Sequence, residues 1–330
     1  MGIAAKFCRA NNFFWDGVVS NKVNLREFIF EQGMQCLLDF TIIGGQFSLY
    51  PSVPFDEDEY DAAGNLTYSG THEMKNDKEV VIKGMFTDGN IKDLNVAFLS
   101  PEDRQTFKAN VIYREETENK FPENKSKVIR LFDDTHIDDP LETFDLSGFC
   151  TNSEHAIKFG KYILATRKFV DHTITFKTAP HYINGIKPGD YIRVFSTTQH
   201  VQRFNNGAIL ADGKIVCKDI SELASGTQPK NFYWWNTKES VVNENSYDFS
   251  NWTSDSKLPA TYSNSLFTIK ETDASDQCYK VESITFGEDG LIELAASYAK
   301  ITDDGKLEML QNWVGENLPD GVDPMFFVEN

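Results

Sequence analysis

The sequence predicts a mainly β, α+β chain. Short alternating apolar/polar runs recur in both halves, Gly-containing turn signals separate them, and only three stretches carry a helical period. With 330 residues, 40% hydrophobic and 26 of them Phe, the chain is long enough for one large domain or two to three ordinary ones, each with a real core.

"NNFFWDGVVSN" sets aromatics beside a turn at Asp16-Gly17. The spacing of Leu25, Phe28, Ile29, Met34, Leu37 and Leu38 predicts a helix over 24–40, capped by Asn24 and weakened in its middle by Gly33. "GQFSLYP" alternates as a strand that Pro51 closes, and 52–72 reads as an acidic connection. "KEVVIKGMF" fits a short strand or a helical turn, whereas "NIKDLNVAFL" and "FKANVIYRE" read as strands before a polar, exposed "ETENKFPENKSK".

The clearest local grammar lies in 150–195. Thr151 and Glu154 form a capping box, and Ala156, Phe159, Gly160, Ile163 and Leu164 make one face of a helix reaching about Lys168. "HTITFKT" alternates, with His172, Ile174 and Phe176 on one face. In "GIKPGDYIRV", Pro188, Gly189 and Asp190 form a structural turn: proline pre-sets one dihedral and glycine accepts positive φ at the next. The turn feeds a strand with Ile192 and Val194 on one side and Tyr191, Arg193 and Phe195 on the other.

Beyond it, Asn206-Gly207 and Asp212-Gly213 read as hairpin turns, and "NFYWWN" with the Ser/Asn-rich run to 265 as surface excursions. "CYKVESITFGEDGLIELAASYA" is a hairpin turning at Glu288-Asp289-Gly290, and "KLEMLQNWV" a short helix. No internal repeat is visible.

The net charge of -18 argues against a nucleic-acid-binding surface, which needs clustered Lys and Arg to displace counterions. Cys8, Cys36, Cys150, Cys217 and Cys278 are odd in number and lack metal spacing, so reduced, mostly buried thiols are expected. No signal-peptide pattern or membrane-length apolar run occurs, so a soluble chain from a reducing compartment is expected, with the sequons at Asn65, Asn124 and Asn251 unused.

No nucleophile-base motif, P-loop or dinucleotide fingerprint is present, and the six histidines form no metal motif. His155, in a first helical turn, is expected at the surface, while His172 and His181 flank a strand within reach of each other in space. "DEDEYDAAGN" resembles a calcium loop only loosely, lacking the glycine and glutamate that complete the cage. Asp133-Asp134 and Asp138-Asp139 are candidate glycosidase carboxylates, a pairing that chance supplies readily among 50 acids. Phe232, Tyr233, Trp234 and Trp235 form an aromatic cluster suited to a core, a protein interface or a stacked ligand. No catalytic residue, cofactor or metal is assigned.

The stretch "LETFDLSGFCTNSEHAIKFGKYILATRKFVDHTITFKTAPHYINGIKPGDYIRVFS" resembles the central region of tail-tip and baseplate hub proteins of tailed bacteriophages. The matching segments are Leu146–Gly148, Ala156–Leu164, Thr173–Phe176 and Ile186–Val194. A later pair, Tyr279–Ile284 and Gly290–Tyr298, resembles the family too, as do the N-terminal "NNFFWDGVVSN…LREFIFEQGMQCLLDF…GGQFSLYP" and the middle "GMFTDGNI" with "DRQTFKANVIYRE". Lambda-like members are much longer, and nothing here is similar to their receptor-reading parts.

The resemblance implies hub-type β-barrel domains with a few packed helices: an N-terminal α/β part (1–58), a β-rich segment (59–145), a helix plus second barrel-like domain (146–300) with inserted loops at 197–276, and a C-terminal extension (301–330). It implies a non-enzymatic virion protein, made in the bacterial cytoplasm and placed at the tail tip or baseplate. Such a homotrimer would join tube to tip, contact distal tail, tape-measure and other tip proteins, and line a channel through which DNA passes during ejection without specific binding. Phe232 to Trp235 are then the expected interface residues. The alternative is a carbohydrate-binding or glycan-hydrolysing tail protein that meets the cell envelope.

Overall fold

This computed structural model describes all residues except 1, 21, 44–45, 62, 103–106, 115–125, 132–139, 197–203, 218–222, 227–228, 237–240, 271–276, 312–325 and 329–330. The fold is mainly β, with four helices and a curled half-barrel sheet among the described residues. The chain opens with α1 (Gly2–Ala10) and α2 (Leu25–Gln35), followed by β1 (Leu38–Ile43), β2 (Gln46–Pro51), β3 (Glu59–Tyr60) and β4 (Leu66–Tyr68). Next come β5 (Ile82–Thr87), β6 (Ile91–Phe98), β7 (Lys108–Arg114), β8 (Ser126–Leu131), β9 (Leu141–Asp145) and α3 (Ser153–Phe169). Then follow β10 (His172–Thr178), β11 (Tyr191–Phe195), β12 (Phe204–Ile209), β13 (Ile215–Cys217), β14 (Lys230–Asn236) and β15 (Val241–Tyr247). The last elements are β16 (Ser265–Lys270), β17 (Cys278–Phe286), β18 (Ile292–Tyr298), α4 (Glu308–Gln311) and β19 (Phe326–Val328).

Two compact units divide these elements. Unit 1 comprises 1–79, 99–171 and 302–330, and unit 2 comprises 80–98 and 172–301.

In unit 1 the order β19-β8-β7-β9 makes a four-stranded sheet, antiparallel except for β7–β9. Ala109, Val111 and Tyr113 of β7 are buried at alternate positions. Helix α3 covers this sheet with Ala156, Phe159 and Gly160. Gly160 is required there, because a Cβ would lie 2.5 Å from Leu131 Cδ1 and 2.9 Å from Val111 Cγ2. The cap of α3 is Asn152, whose Oδ1 accepts from the Glu154 N–H at 2.8 Å, not Thr151. The Thr151 hydroxyl instead donates to Asp16 Oδ2 at 2.6 Å.

Asn24 caps α2, its side chain accepting from Arg26 N at 3.1 Å. The helix ends at Gln35, short of the Phe40 that periodicity suggests. Leu37 takes a left-handed φ of 54°, which turns the chain so that Leu38 to Ile43 pair with β2.

Unit 2 is built on a six-stranded sheet in the order β5-β11-β17-β18-β10-β6, where only β5–β11 is parallel. Its buried face gathers Phe86, Ile174, Phe176, Ile192, Val194, Tyr279, Val281 and Leu294. The alternation of "HTITFKT" holds, with His172, Ile174, Phe176 and Thr178 buried, and "KEVVIKGMF" resolves as β5.

The span expected to be surface excursions is instead a second five-stranded sheet, β13-β12-β16-β14-β15. It has its own core of Ile209, Leu223, Phe232, Phe249, Leu258 and Phe267. Asn206-Gly207 is no turn; both residues lie inside β12, paired with Thr268 and Phe267 of β16. Asp212-Gly213 does turn, with Gly213 at φ +86° and Leu210 N donating to Lys214 O at 2.8 Å. The β17–β18 hairpin turns at Glu288-Asp289-Gly290, where Gly290 has φ +75°.

Candidate functional site

Strand β14 carries the aromatic cluster, and its alternation sends the four rings two ways. Phe232 and Trp234 face the core of the five-stranded sheet. Phe232 is fully buried, 5.5 Å from the Phe267 ring, and Trp234 meets Tyr262 edge-on at 4.6 Å. The Trp234 Nε1–H is buried and has no hydrogen-bond partner among the described residues.

Tyr233 and Trp235 face the other way, onto Met85 of β5 and Phe195 of β11. The Tyr233 hydroxyl donates to Glu244 Oε1 at 2.7 Å, and the Arg193 guanidinium lies 4.6 Å over its ring. These contacts weld the two sheets of unit 2. Trp234 and Trp235 are half-buried, so each keeps a part of its surface open, while Phe232 and Tyr233 keep none to speak of.

A polar network completes that weld. Asp88, just after β5, accepts from Ser196 Oγ at 2.6 Å and from Asn206 Nδ2 at 3.1 Å. Asn206 also donates to the Phe195 carbonyl at 2.9 Å and accepts from Thr268 Oγ1 at 2.5 Å. Each member of the network thereby has a partner within it.

The turn before β11 has Gly189 at φ +94° and a 3.1 Å bond from Asp190 N to Lys187 O. Asp190 Oδ2 accepts from Lys187 N at 2.9 Å. Gly189 N donates to Val281 O at 2.7 Å, and Val281 N donates to Asp190 O at 2.8 Å, so the turn fixes the register of β11 beside β17.

The titratable groups are occupied structurally. His155 is fully buried, which corrects its expected surface position; Phe13 and Phe149 enclose its ring and Nε2 bonds Gln35 O at 2.8 Å. His172 and His181 do not meet, because β10 separates them by roughly 20 Å of extended chain. His172 Nε2 lies 3.0 Å from Tyr279 Oη, whose own proton goes to Gln277 Oε1 at 2.7 Å, so Nε2 is the donor. His181 sits against the Tyr182 ring.

In the acidic connection, Asp56 accepts from Thr71 N at 2.7 Å, and this bond holds its carboxyl below the usual carboxylate range. Asp58 meets Lys6 Nζ at 2.7 Å and is lowered mainly by that partner, while Asp61 is lowered by the Asn65 side chain it binds. Their oxygens are turned to the chain's own donors, not to a cation cage. Among the described residues no group of three or more His, Cys, Asp and Glu is placed to hold a metal. Asp133, Asp134, Asp138 and Asp139 lie outside the described residues. A depression of about 270 Å³ at the β17–β18 tip is lined by Lys177, Glu288, Asp289 and Glu293, and Lys177 and Asp289 close on each other at 3.1 Å. No helix of the described residues is long and apolar enough to cross a membrane.

No family model matches the chain, and no curated protein matches it. Among the solved structures that are similar, three share 10% identity with this chain. A virion of a native gene transfer agent particle matches over 90% of this chain and 46% of its own, with a TM-score of 0.38. The tail protein from Neisseria meningitidis MC58 matches over 77% and 57%, TM-score 0.34. The 43 kDa tail protein of prophage MuSo2 from Shewanella oneidensis matches over 82% and 64%, TM-score 0.29. This chain thus spans about half to under two thirds of their lengths, and at such scores neither a common fold nor a common role follows.

Proposed function

We propose that this chain is a non-enzymatic hub subunit of a phage tail tip or baseplate, acting as a homotrimer that joins tube to tip. The observation that carries the reading is the order of the family-like segments together with their placement. Thr173–Phe176, Ile186–Val194, Tyr279–Ile284 and Gly290–Tyr298 are far apart in sequence, yet their strands β10, β11, β17 and β18 stand side by side in one sheet.

Distal tail, tape-measure and other tip proteins are the partners this role requires. Trp234 and Trp235 are the interface residues, because part of each ring stays open; Phe232 and Tyr233 support them from within. The acidic surplus supports a wall that DNA passes without adhering. It is concentrated in unit 1, with 33 acidic against 18 basic residues, compared with 17 against 14 in unit 2.

Imaging of assembled particles, together with the mass of the purified chain in solution, tests this reading. A threefold ring, or incorporation that depends on assembly, is expected. A stable monomer that hydrolyses cell-wall glycan would overturn it in favour of the envelope-active alternative.

A further inference from the structure

Burial alone scarcely holds α2. Of its 11 residues only Gly33 is buried, and Leu25, Phe30 and Met34 are 67%, 50% and 52% exposed. Beside the contact of Phe30 with Phe40 of β1 at 6.4 Å, two contacts tie it to more distant parts of unit 1. At mid-helix, Trp15 packs edge-on against Phe28 at 5.6 Å and its indole N–H donates to Gln32 Oε1 at 2.7 Å. At the C-terminal end, His155 Nε2 bonds the Gln35 carbonyl at 2.8 Å.

The surroundings of the second tie suit the neutral ring, since an imidazolium would keep the Nε2–H donor but add a buried charge. A carbonyl only accepts, so Nε2 carries the proton and Nδ1 the lone pair. Nδ1 is buried without a hydrogen-bond partner. The rings of Phe13 and Phe149 lie 4.9 and 6.1 Å from the imidazole. A second proton would therefore place a charge in an aromatic enclosure.

The neighbours do not reverse this. Burial is the largest influence and lowers the His155 pKa from its ordinary value; Lys158, on α3 itself, lowers it further. The Gln35 and Phe14 carbonyls and Asp16 push the other way, with smaller effect. Cys36, next to Gln35, and Cys150, next to Phe149, are thiols raised by their surroundings and stay uncharged.

We propose that His155 is an acid-released latch: when neutral it joins the C-terminus of α2 to the first turn of α3, and protonation opens that junction. The group is neutral in the closed state and titrates normally once open. Its stabilisation is therefore present above the unfolded histidine pKa of about 6.5 and is lost as pH falls below it. From pH 7.5 to 5.5 the open population should grow, by up to about tenfold.

Hydrogen exchange of the α2 amides in the full chain, corrected for intrinsic rates, reads this directly. Protection of 25–35 should fall, by up to about tenfold, at pH 5.5. His155→Gln keeps a donor for Gln35 but does not titrate, and should show no such fall. Protection independent of pH in the native chain, or the same fall in His155→Gln, overturns the proposal. If that variant does not fold, imidazole nitrogen shifts of the native chain decide. The Nε2–H tautomer should persist until α2 protection drops, and an imidazole that titrates near its ordinary pKa while α2 stays protected overturns the latch.

Discussion

The ring of Phe267 lies over the backbone of Gly207, its register partner across β12 and β16, so closely that a Cβ at 207 would stand 2.7 Å from Cε1. On the other side that Cβ would run into the Val216 carbonyl. The glycine is there to admit a neighbouring ring and strand, not to turn the chain.

Gly207→Ala is therefore expected to destabilise the protein by about 1–3 kcal/mol, the usual result of overfilling a packed site. Urea unfolding would show this as a lowered midpoint with an unchanged slope.

Gly189→Ala meets a different obstacle. At φ +94° the cost falls on the backbone conformation, about 1–2 kcal/mol for a residue with a Cβ. The bonds joining Gly189 and Asp190 to Val281 should weaken with it, which faster amide exchange at 189 and 281 would report.

Phe232 and Trp235 should separate stability from assembly. Phe232→Ala empties a fully buried site between Phe249, Tyr262 and Phe267 and should cost about 3–5 kcal/mol in the isolated chain. Trp235→Ala should cost less than this in the isolated chain and show its main effect on incorporation into particles. Unchanged incorporation of both Trp234→Ala and Trp235→Ala removes the interface assignment.

Burial pushes the Cys150 thiol up to about 11, so at pH 8 only roughly a thousandth is thiolate. Alkylation followed by mass spectrometry should find Cys150 inert in the native chain at pH 8, with reactivity climbing as pH approaches 11 or as the chain unfolds. The half-buried Cys217 is the internal comparison.

The sequence disclosed what neighbours along the chain decide. The β10 alternation was legible because one face of that strand is buried and its period is two. The Lys187–Asp190 segment was legible because proline and glycine act on their own dihedrals. Contacts distant in sequence were not. Helical periodicity continues through Leu37 and Leu38, and only pairing with β2 shows that they leave the helix. The Asn206-Gly207 pair carries a turn's composition, and only Phe267 explains its place in a strand. Phe232 to Trp235 read as a surface run because both faces of β14 are covered, one by its own core and one by β5 and β11. His155 did leave a signal: it stands four residues before Phe159, on the apolar face of α3.

The division of the chain has a consequence for its synthesis. Unit 1 is assembled from segments that lie on both sides of unit 2 in the sequence. Leu307 and Leu310 are buried in it, Lys306 bridges to Glu79, and Gln311 Nε2 donates to the Asn76 carbonyl at 2.6 Å. Unit 2 has all its residues once position 301 has left the ribosome. Unit 1 therefore cannot be completed until residues beyond 301 emerge. Unit 1, whose segments flank unit 2 in the sequence, is thus completed after unit 2 has all its residues.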